Sequence, residues 1–185
     1  MLITFDRAVG GSTIATIERR DGVTLALPGY DRKHRVPHDL AHAVTECELA
    51  MAGGVFGSIA GGGVFANMRV LAGRERHDAR DRSKRLLAAN KSSLGVAECV
   101  AGVVHAAVEH GATSSAVADA RRSWGVFSAE PVPWTEPQLT AAISRLTVLA
   151  GDFARDGHLR FVWPDRLTSP VPVRVEHRLG RRGRV

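Results

Sequence analysis

Aromatic residues are scarce in this chain of 185 residues: Phe, Trp and Tyr together make up only 5% of it. A core must therefore be filled by Leu, Val, Ile and Ala, which demands close packing of small side chains. Cysteine is nearly absent. Cys47 and Cys99 each stand alone in an apolar run. Two isolated thiols exclude a disulfide framework and read as reduced, buried core residues. The apolar stretch from Val55 to Val70 is short and broken by Ser58, Asn67, Arg69 and several glycines. A bilayer span needs about 20 predominantly apolar residues. Met1 to Phe5 lacks a basic start and runs into Asp6 and Arg7, so no secretory leader is expected. A cytoplasmic protein without a membrane partner is the resulting expectation.

Charge of one sign is also lacking over most of the chain. Of the net +6, the last twelve residues hold +4, because Arg174, Arg178, Arg181, Arg182 and Arg184 face only Glu176. The high pI thus describes a tail. Nucleic acid is expected as a partner only weakly, through that tail, and the sequence leaves the oligomeric state open.

What is present is globular: 44% hydrophobic and 24% charged residues, enough for one ordinary domain. The expected domain is 1–165, made of a β-hairpin region (1–30), a helical core (36–155) and a strand (158–163). Residues 166–185 read as a basic tail rich in Pro, Arg and Gly. Leu2 to Phe5, Thr13 to Arg19 and Val23 to Leu27 read as strands. Asp21-Gly22 between the last two signals a two-residue hairpin turn. From Pro37 the period changes to that of a helix, with Pro at the tolerated first turn and Gly53-Gly54 as the stop. Further helices are expected over 55–71, 75–89, from Ser92 or Ser93 to 110, from Thr113 or Ser114 to Gly125, and after Thr135 as N-cap. Leu159, Phe161 and Trp163 alternate with polar neighbours and suit a strand pairing with the N-terminal hairpin. The expected fold class is α+β, mainly α: five or six helices packed with a small antiparallel sheet.

One cluster carries chemistry. On a helix starting at Pro37, Leu40, Val44, Cys47 and Met51 form one stripe, at about 100° per residue. His38, His42 and Glu46 fall nearly opposite, each about 40° from the next. Imidazoles at i and i+4 stand one above the other, the spacing that grips a single metal ion. Asp39 lies beside the row as an acid that can ligate or orient a histidine. A second helix offers matching groups: Glu98, His105 and Glu109, seven and four residues apart, share a face. The candidate metal ligands are accordingly His38, His42, Glu46 and His105. Asp39 and Glu46 are the candidate catalytic acids. Two imidazoles and a carboxylate suit Zn²⁺, and also Fe²⁺ or Mn²⁺.

The bland alternative is a polar row opposite an apolar stripe, as any surface helix shows. His77-Asp78 is a second such dyad, in a charged run that reads as a solvated helix face. Cys99 and His105 lie about 120° apart in azimuth and do not form a nucleophile pair. Trp124, Trp134 and Trp163 read as core residues or as walls of a ligand pocket.

His38-Asp39-x-x-His42 resembles the HD-x-x-H signature of the helical ubiquinone-biosynthesis proteins, over some fifteen residues. In that family a glutamate twelve residues after the second His completes a metal site; here that position is Gly54. The same tetrad resembles the motif of some HD-type phosphohydrolases, whose additional upstream His has no counterpart here except His34. The functional expectation is a metal-binding protein, or a metal-dependent enzyme acting on a small organic molecule through the His/Asp/His cluster. The alternative is a non-enzymatic ligand-binding or protein/nucleic-acid interaction module with a basic tail.

Overall fold

Thr13–Glu18 (β2) and Thr24–Pro28 (β3) pair antiparallel across the Asp21-Gly22 turn. The turn itself differs from expectation. Arg19 and Val23 are joined by a backbone hydrogen bond, the Gly22 N–H donates to the Arg19 carbonyl, and among the turn residues only Gly22 has positive φ (82°). This is a three-residue loop with glycine at the left-handed position. The Asp21 carboxylate stabilises it by accepting from the Val23 N–H and from Arg19. Burial raises the Asp21 pKa, but Arg19 and that N–H outweigh it and hold it below the usual carboxylate range.

A computed structural model describes residues 1–29 and 33–173. Leu2–Arg7 (β1) joins β2 on its other side. His158–Val162 (β5) pairs with β1, as its alternating pattern predicts. Ile3, Ile17, Leu25 and Phe161 lie in register and are all buried. Thr4 and Thr16, on the other face of the pleat, are half-buried.

Six helices are present among the described residues: α1 (His38–Glu48), α2 (Val55–Ala60), α3 (Ala79–Ala89), α4 (Lys91–His110), α5 (Ala116–Gly125) and α6 (Glu136–Asp156). The fold is α+β, mainly α. Thr135 caps α6 through a reciprocal capping box with Gln138, which satisfies two backbone donors at once.

Where a helix over 55–71 was expected, α2 ends after one and a half turns. Gly61 to Gly63 break it, Gly62 with φ 106°, and Arg69–Ala72 (β4) pairs with β3 instead. The sheet is thus five-stranded and antiparallel, ordered β4-β3-β2-β1-β5. The helix expected over 75–89 begins only at Ala79.

The boundary at 165 also moves. Trp163 is buried and its indole N–H donates to the Leu167 carbonyl. Leu167 and Ser169 are buried, and the Ser169 N–H donates to the Gly57 carbonyl. A Cβ on Gly61 would lie 2.2 Å from the Ser169 carbonyl oxygen, so α2 accepts this segment only because glycine leaves room. Residues 166–169 belong to the body; the arginines from 174 onward lie outside the described residues.

Helix α1 is the central element. It packs against α2, α4 and α6, and every residue from Leu40 to Glu46 is buried. Its polar row meets α4 at His38 and His42 and the start of α2 at Glu46. Helix α4, at 20 residues, is long and apolar enough to cross a membrane by length and composition. Here it packs against α1, α5 and α6 and buries Val96, Val100 and Val104. Cys47 and Cys99 are free and half-buried, not fully buried; Cys47 Sγ accepts a contact from Arg145 at 3.6 Å.

Candidate metal centre

Helices α1 and α4 meet antiparallel, and their facing polar rows come together. The loop before α1 brings His34 to the same seam. Four imidazoles stack edge-on along the seam: His42 to His38 (ring centroids 4.8 Å), His38 to His105 (5.7 Å) and His105 to His34 (5.2 Å).

At one end lie His38, His42 and Glu98. His42 Nε2 is 3.1 Å from Glu98 Oε2, and His38 Nε2 is 3.6 Å from Glu98 Oε1. One ligand atom from each of the three residues lies within 4.8 Å of the other two, close enough to share a cation. The His42 side chain is only 3% exposed, whereas Glu98 is 61% and His38 34% exposed. The group therefore opens to solvent on the Glu98 side.

Glu46 stands behind His42. Its Oε1 is 3.1 Å from His42 Nδ1 and accepts from the Val55 N–H at 2.9 Å; its Oε2 accepts from the Phe56 N–H at 2.9 Å. The carboxylate is fully buried at the first turn of α2. Nδ1 and Nε2 point to opposite sides of the ring, so Glu46 cannot reach an ion bound at Nε2. It acts on such an ion through the histidine. A Cβ on Gly54 would fall 2.4 Å from the Glu46 carboxyl carbon. Gly54 leaves that space open, and the Glu46 carboxylate from α1 occupies it.

Burial works against a charge on His42, but the Glu46 and Glu98 carboxylates outweigh it and raise the ring's pKa to about 10. Hydrogen bonding to His42 draws the Glu98 pKa down, against its partial burial.

At the other end lie His34, His105 and Glu109, which again offer ligand atoms within 4.8 Å of one another. His105 is buried, and its Nε2 lies 2.8 Å from the Val36 carbonyl oxygen. A carbonyl only accepts, so Nε2 carries the proton and Nδ1 is the nitrogen left to bind a metal. Glu109 Oε1 accepts from the Arg35 N–H (3.0 Å) and Oε2 from the Val36 N–H (2.8 Å). Burial raises its pKa, but these amides, with His105 and His34, outweigh it and lower it.

Of the residues singled out from sequence, His38 and His42 stand together, with Glu98 from the second helix as their carboxylate. Glu46 touches His42 on the far side. His105 adjoins His38 but groups with His34 and Glu109. Asp39 lies in neither group. Its Oδ2 would be 3.3 Å from a Cβ on Gly29, at the end of β3, because one residue of helix turns it about 100° away from His38. His34 went unassigned from sequence; it lies in the loop before α1, and the tertiary fold brings it to His105 and Glu109.

The other features are plainer. Asp78 is bound to Arg76 beside exposed His77. Trp124 and Trp134 stack edge to face at 5.5 Å, and the concavity beside Trp134 has about 20 Å³, room for about one water. An open groove of about 350 Å³ between α4 and α5 is lined by Cys99, Gly102, Ala106 and Asp119 and by none of the histidines. Comparison of the chain with protein-family models, curated proteins and solved structures finds no match to any of them.

Proposed function

We propose that His38, His42 and Glu98 bind one divalent metal ion and that Glu46 orients His42 for it. The observation that carries this reading is the convergence of two imidazoles and a carboxylate within 4.8 Å, with a buried carboxylate on the other ring nitrogen of His42. A metal-binding histidine almost always has such a partner, which fixes the tautomer and raises ligand basicity. Two nitrogens and one oxygen suit Zn²⁺, Fe²⁺ or Mn²⁺. Three protein ligands with an exposed side leave a coordination position for water or substrate, as catalytic sites do and closed structural sites do not. The proposed activity is that of a metal-dependent enzyme acting on a small organic molecule, with the ion activating water or polarising a carbonyl.

The test is metal content of purified protein, native against His38→Ala/His42→Ala and Glu98→Gln. The native chain should retain an ion with these three residues as ligands, and the double variant should lose it. Equal metal content in both, or none in either, would refute the site.

A second reading is favoured by the raised pKa of His42: an imidazolium held between the buried Glu46 carboxylate and the exposed Glu98 carboxylate, with no metal ion. In that case metal addition leaves the melting temperature unchanged. A bound ion raises it by mass action.

A further inference from the structure

The histidine row does not end with the proposed ligand set. Beyond His38 the same seam presents His34, His105 and Glu109, whose ligand atoms also lie within 4.8 Å of one another. These residues come from different places in the chain: the loop before α1 and the last two turns of α4. Nothing in the first trio requires them to converge.

Each member is set up to accept a cation. His105 is held by its Nε2 proton on the Val36 carbonyl, the outer hydrogen bond that typically orients a ligating imidazole and leaves Nδ1 for the metal. Glu109 is fixed by two backbone N–H groups, one on each oxygen. Because a carboxylate oxygen has two acceptor positions, one on each oxygen is left over. Glu46 differs: its Oε1 already serves both His42 and the Val55 amide, and its side chain is sealed from solvent. Glu109 and His34 have side chains 12% and 44% exposed, and His34 Nδ1 stands 3.9 Å from Glu109 Oε1. An ion thus has a route in and a negative charge to meet it.

We infer that His34, His105 and Glu109 form a second divalent-cation site, adjoining the first along the seam between α1 and α4. The contact between the His38 and His105 rings, at 5.7 Å between centroids, makes the two trios neighbours. The cation chemistry is that of the first site: a nitrogen–oxygen donor set suited to Zn²⁺ or Mn²⁺. The second site rests on its own residues and does not depend on the first being occupied.

The experiment titrates chelator-treated full-length protein with Zn²⁺ and separately with Mn²⁺, by calorimetry with elemental analysis. Four proteins are compared: native, His38→Ala/His42→Ala, His34→Ala/His105→Ala, and His34→Ala alone. The last guards against misfolding, since His34 is exposed and its loss leaves the Val36 carbonyl paired. Two ions per native chain are expected, one in each double variant, and weakening of one ion by roughly 10-fold or more in His34→Ala. A single ion that needs His38 and His42 but is indifferent to His34 overturns the second site and leaves the first standing. A single ion that needs His34 and not His38 and His42 does the reverse. No ion at all overturns both.

Discussion

Glu46 is one residue on which two structures depend. Its carboxylate holds His42 in place and also satisfies the Val55 and Phe56 amides at the start of α2. Removing one partner of a buried ion pair is costly because the other charge stays behind unpaired, by about 3–5 kcal/mol. Glu46→Ala should therefore destabilise the protein by about that much in urea denaturation. Glu46→Gln keeps the shape but drops the charge. Its expected effect on the proposed metal is a 10- to 100-fold loss of affinity, read by competition with a chromogenic chelator.

The same group makes a pH prediction. His42 is charged in the fold up to about pH 10, against an ordinary value of 6.5. In chelator-treated protein its contribution to stability is complete below pH 6.5 and declines as the pH rises toward 10. Urea midpoints measured between pH 6.5 and 10 should show that decline, and His42→Gln should lack it. A parallel decline in both proteins would assign the effect to other groups.

At the scale of elements, α1 ends in a left-handed residue that is not glycine. Ala50 has φ 55°, the Met51 N–H donates to the Glu46 carbonyl, and the Ala50 N–H to that of Cys47. This is a Schellman closure. An L residue pays roughly 1–2 kcal/mol there, while glycine costs only about 0.5–1 kcal/mol of extra chain entropy. Ala50→Gly should therefore raise stability by about 0.5–1 kcal/mol. The opposite holds at Gly61, where a Cβ would meet the Ser169 backbone at 2.2 Å. Gly61→Ala should cost about 1–3 kcal/mol, the usual range for overpacking, and a neutral result would mean that the 167–169 segment readily moves aside.

Over the whole molecule, the chain after β5 returns to cover α2. Leu167 is 4% exposed, so Leu167→Ala should cost about 2–5 kcal/mol. A chain ended at residue 165 should lose at least as much. Ending it at 173 instead removes five arginines and one glutamate. That truncation should leave the melting temperature within a few degrees and abolish weak, salt-sensitive DNA binding. DNA binding that survives it would move the basic surface into the body.

Elements with a strong local signal were legible in the sequence. Thr135 as N-cap announced α6, the alternation of Leu159, Phe161 and Trp163 announced β5, and Asp21-Gly22 announced the β2–β3 hairpin. Each rests on contacts within a few residues. The i,i+4 spacing of His38 and His42 placed two imidazoles on one helical face for the same reason. What required the tertiary structure was every choice among distant partners. Only the antiparallel seam of α1 and α4 decided that Glu98 meets His42, that His105 joins His34 and Glu109, and that Glu46 looks away from Nε2 toward α2. The short strand β4 and the burial of Leu167 were likewise hidden, since both depend on surfaces that distant segments supply. Periodicity determines which face of a helix a side chain occupies, but packing determines what that face meets.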